Sequence, residues 1–66
     1  MDIVGKKHLL IEIMRSTHAL AAIAWPDGIP LAALDHIIDI QIKACKALGL
    51  PGDLPLLTGD ETVGDL

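Results

Sequence analysis

Two stretches of this chain, roughly Ile3 to Trp25 and Pro30 to Leu48, carry apolar residues at helical period over more than half of the helix circumference. Only the tight turn Pro26-Asp27-Gly28 and the residues beside it separate them. So short a link makes the two helices antiparallel neighbours, and a two-helix hairpin cannot bury so wide an apolar arc by itself. The expected fold is therefore all-α. Residues 1–50 form a helical hairpin that pairs into a dimeric helical bundle, as four helices or as two interlocked hairpins. Residues 51–66 form an acidic, Pro/Gly/Leu-rich extended C-terminal arm lying on the bundle or on the partner.

Size sharpens the expectation of self-association. A chain of 66 residues lies where a single core is marginal and disulfides, metal or oligomerisation supply the remainder. A single cysteine, Cys45, rules out an intrachain disulfide, and the three histidines are not spaced as a zinc motif. Association remains. The apolar share is 52% with one aromatic residue, Trp25, so the packing material is aliphatic Leu, Ile and Ala.

Such a sequence invites a membrane reading, but a spanning helix needs about 20 predominantly apolar residues in a row. Glu12, Arg15, Ser16, Thr17 and His18 interrupt the first stripe, and Asp35, His36, Asp39, Lys43 and Lys46 the second. No secretory leader pattern opens the chain, and a lone cysteine suits a reducing compartment, so a cytoplasmic protein is expected. Charge is distributed unevenly. Residues 1–50 hold all five basic groups (Lys6, Lys7, Arg15, Lys43, Lys46) against five acidic ones, so the net charge of −4 resides in Asp53, Asp60, Glu61 and Asp65. A neutral body with an acidic tail lacks the basic footprint of direct nucleic-acid binding.

On a wheel the first helix presents Leu9, Leu20, Ile13, Ala24, Leu10, Ala21, Met14 and Trp25 as one arc, widened by Ile11, Ala22 and Val4. Asp2 suits its N-cap, while Gly5 weakens the first turn and predicts fraying there. The second helix starts with Pro30 at its first position and ends at Gly49, with Leu50 packing back and Pro51 forbidding continuation. Leu10, Ile13, Met14, Leu20, Leu34, Ile37, Ile38 and Gln41 are the expected core and dimer residues. Gln41 is the odd member. An amide inside an apolar arc is either satisfied by a neighbour or fixes register and oligomer state, and the sequence leaves both open.

Candidate sites for chemistry are thin. His8 with Glu12, and His36 with Asp39, each supply half of a metal site, whereas zinc wants three or four converging ligands. Cys45 falls within the apolar arc, where a thiol behaves as a small hydrophobe rather than a nucleophile. No cofactor motif is present, and so small a chain encloses no substrate pocket unaided. A non-enzymatic protein is expected. Trp25 at the hairpin tip either plugs the bundle near Ile29 and Leu31 or anchors a partner. Leu54, Leu56, Leu57, Asp60 and Glu61 make the arm a second possible partner-binding element, with leucines for burial and carboxylates for steering.

These features fit a stoichiometric protein-binding regulator. In length, in two helices hinged at Trp25-Pro-Asp-Gly-Ile-Pro30 and in the acidic arm Leu54 to Leu66, the chain resembles small phage-encoded helical-hairpin inhibitors of bacterial host proteins, quorum-sensing anti-activators of Pseudomonas phages among them. That resemblance implies a homodimer that masks the DNA-binding region of a host transcriptional activator and binds a second host protein such as a motor ATPase. It carries over no functional residues. Two other classes stay open: an assembly subunit or dimerisation cassette of a larger complex, and a small-ligand sponge closed by the dimer interface.

Overall fold

Asp2 opens the first helix. Its carboxylate oxygen accepts a hydrogen bond from the Gly5 amide at 2.7 Å, which satisfies one of the four amides that a helix start leaves unpaired. In the computed structural model, which describes residues 1–66, helix α1 then runs regularly over Ile3–Ala24. Gly5, where the sequence weakens the first turn, lies inside the helix, and the Asp2 cap and the Lys6 amide bond to the Asp2 carbonyl brace that turn. At the other end the Trp25 amide donates to Ala21 O, Gly28 takes a positive φ of 132°, and the chain reverses.

Helix α2 spans Leu31–Leu48. Pro30 stands one position earlier than expected, as the N-cap: its backbone is extended (ψ 155°) and its carbonyl receives the first helical bond from Leu34 N. The stop is built as the sequence predicts. Gly49 adopts the left-handed conformation (φ 72°), its amide and that of Leu50 donate to Lys46 O and Cys45 O, and Leu50 folds back into the core. No strand is present, and the two helices pack against each other as an antiparallel hairpin.

The third side of the core comes from the chain's own end. Leu10, Ile11, Met14 and Ala21 of α1 meet Ile37 and Cys45 of α2, and Leu50 and Leu57 close over them. Residues 51–62 have no regular structure, and a single 3₁₀ turn, Val63–Asp65, ends the chain. This segment runs back beside α2, crosses the groove between the helices at Leu57, and returns along α1 until Leu66 O accepts from Lys7 Nζ. Of the expected core set, Leu10, Met14, Ile37 and Gln41 are buried, Ile13 and Leu34 are half-buried, and Leu20 and Ile38 are 69% and 38% exposed. Two helices and one crossing segment cover only part of each wide arc.

Candidate protein-binding site

The hairpin has two grooves, one on each side of the α1–α2 contact, and they differ in chemistry. The first holds the C-terminal segment through side chains that reach its main chain. Gln41, one turn beyond Ile37 on α2, is 5% exposed; its Nε2 donates to Pro55 O at 2.8 Å and its Oε1 accepts from Leu57 N at 2.7 Å. Both polar atoms of the amide in the apolar arc thus have a partner within one chain. His18 on α1 bonds through Nε2 to Leu57 O at 2.8 Å; a carbonyl only accepts, so that nitrogen carries the proton. Arg15 Nε donates to Gly59 O at 3.0 Å.

Gly59 has no substitute at this crossing. Its φ is +99°, and a Cβ on it would lie 2.4 Å from the Arg15 Cα, so the two backbones touch where a side chain would stand. The acidic residues of the segment divide by role. Glu61 accepts from the amides of Thr58 and Gly59 and from the Thr58 hydroxyl, and these bonds, that of the Thr58 amide foremost, hold its carboxyl below the ordinary carboxylate range. Asp65 accepts from the Thr62 amide and hydroxyl and caps the 3₁₀ turn. Asp53 and Asp60 are exposed and their carboxylates make no hydrogen bond or ion pair. Of the three leucines singled out in this segment, Leu57 is buried, Leu54 half-buried and Leu56 38% exposed.

The second groove is open. Leu20, Thr17 and Ala21 of α1 face Ala33, Ile37 and Ile40 of α2, with Trp25 and His36 at its edges, around a shallow cavity of about 160 Å³. Leu20 is 69% and Ile40 39% exposed, although both lie on the apolar arcs, and no Asp, Glu, Lys or Arg lines the depression. Thr17 adds no polar demand, since its hydroxyl donates to Ile13 O in its own helix. Trp25 is 42% exposed and Leu31 80%, so the tip does not close into a sealed plug; the indole forms one wall of the open groove. Ile23 adds a further exposed side chain near the tip.

The remaining candidates are surface features. No group of three or more His, Cys, Asp or Glu is arranged to hold a metal ion, and no helix is long and apolar enough to cross a membrane. Lys43 and Asp39 pair at 2.7 Å on an exposed face, an arrangement of little energetic weight. Cys45 is buried, and burial pushes its thiol pKa up, away from the reactive thiolate. His8 and Glu12 line a polar furrow of about 550 Å³ between α1 and the C-terminal segment, next to Arg15 and Glu61. Sequence reasoning did not find His18, Arg15 or Gly59, whose shared function depends on a partner about 40 residues away in the chain. No family model, no curated protein and no solved structure matches this chain.

Proposed function

We propose that this chain is a small, non-enzymatic protein-binding regulator that acts through the open groove of its hairpin, pairing with itself there as a homodimer and with a larger protein in its working complex. The observation that carries the proposal is the uncharged apolar face bearing Leu20, Trp25 and Ile40, left uncovered on the side away from the C-terminal segment. Two parallel ridges separated by a groove suit an apolar helix of the partner, which would seat side chains between them. The absence of charge on the floor matters, since burying an uncompensated carboxylate or ammonium costs several kcal/mol by itself.

The narrower reading is a phage-type inhibitor that masks a host transcriptional activator in the cytoplasm. It rests on chain length and the hairpin plan. An assembly cassette uses the same face and differs in the permanence of the complex. The test is affinity capture from the native cell with the tagged chain and with a Leu20→Asp/Ile40→Asp variant. The proposal expects one larger protein at fixed stoichiometry, lost with the variant while its helicity is kept. Equal recovery by both chains contradicts it, and co-purification of several subunits favours the cassette.

A further inference from the structure

The C-terminal segment is held by contacts that do not depend on which chain it belongs to. Residues 51–61 take part in no main-chain-to-main-chain hydrogen bond. Gln41 instead offers its amide to Pro55 O and Leu57 N, the carbonyl and amide that a neighbouring parallel strand would engage on either side of Leu56. His18 takes Leu57 O and Arg15 takes Gly59 O, so three side chains from two helices read the main chain of a segment that bends at Gly59. Sequence selectivity comes from two positions. The Leu57 side chain is 1% exposed in the core, and only glycine fits against the Arg15 backbone two residues later.

We propose that this groove is a peptide-docking site for a Leu-x-Gly segment that bends at its glycine, filled in cis by residues 55–59, and that the same segment of a second copy occupies it when the chain's own arm is out. The occupant is argued from the seated arm itself: an identical segment reproduces every contact. The link to α2, residues 51–53, is exposed and makes no hydrogen bond to either helix, so exchange breaks no interhelical bond there. A tethered arm has an effective concentration of millimolar order, so the cis form dominates at micromolar protein and exchange needs an emptied groove or high concentration. The site lies in the other groove from the proposed partner-binding face and does not rest on that reading.

The test uses the full chain with Gly59→Val, whose own arm no longer seats, and a labelled synthetic peptide of residues 53–66 followed by fluorescence anisotropy. Saturable binding is expected, weakened at least about tenfold when Gln41→Leu is added and likewise when the peptide itself carries Gly59→Val. Mixing full-length Gly59→Val with full-length Gln41→Leu, both also carrying Leu20→Asp/Ile40→Asp so that the open face does not pair, should give heterodimers in native mass spectrometry, since one supplies an empty groove and the other a loose arm. Should Gly59→Val not fold, the wild-type chain is titrated with excess peptide and its own Leu57 amide is followed by NMR; displacement toward the random-coil position is expected. A helical Gly59→Val chain that ignores the peptide overturns the proposal. So do equal binding of the two peptides and a Leu57 amide that stays in place at saturating peptide.

Discussion

At the scale of single residues, the molecule depends on a few side chains that join segments far apart in sequence. Gly59 is the most constrained, because both its backbone angle and its contact with Arg15 exclude a Cβ. Gly59→Ala should lower stability by at least about 2 kcal/mol, from left-handed strain and overpacking together, as measured by urea unfolding. Glu61 adds a pH dependence with a defined sign. Its folded pKa is lowered, chiefly by the Thr58 amide, so its contribution is complete above the ordinary value of 4.5 and is lost as pH falls through the lowered one. Acid titration followed by NMR should therefore show the Thr58 and Gly59 amides shifting in that window, while Glu61→Gln should remove the transition and lower stability at neutral pH.

Among the elements, the two helices are local structures and the C-terminal segment is not. Removing residues 53–66 takes Leu57 and its neighbours off Leu10, Met14 and Cys45, and leaves Gln41 without its hydrogen bonds. Truncation after Gly52 should lower the melting temperature and promote aggregation, read by circular dichroism and light scattering, because a second apolar groove is then uncovered. The same contrast explains what the sequence makes legible. Helical period, the Asp2 cap, the Gly49 stop and the short turn are encoded within a few residues, so the hairpin could be read directly. Gln41 also announced itself, as an amide within an apolar arc. Its partners did not, because Pro55 and Leu57 are ordinary residues of an irregular segment whose path is set by tertiary contact. Arg15 and His18 read in the sequence only as polar interruptions of the first stripe, and their bonds to Gly59 and Leu57 span 44 and 39 residues. Leu20 and Ile38 were expected as core or dimer residues from the same wheel and are exposed in the single chain, since an arc records which residues are apolar and not which neighbours cover them.

For the whole molecule, the account turns on the asymmetry between its two grooves. One is filled by the chain's own end, and the other, on a molecule 37 Å long, leaves Leu20, Trp25 and Ile40 exposed. A protein of 66 residues with 11 buried has little core to spare, and an apolar face without charge is the surface on which association adds most to stability. At micromolar concentration the tethered arm outcompetes arm exchange, so association in that range reports on the open face. Sedimentation equilibrium of the wild-type chain beside Leu20→Asp/Ile40→Asp is the most direct test. The account predicts that the wild type moves toward twice the chain mass as its concentration rises through the micromolar range, while the variant remains helical at the mass of one chain. A wild-type chain that stays folded and monomeric throughout, or a variant that associates as strongly, would contradict it.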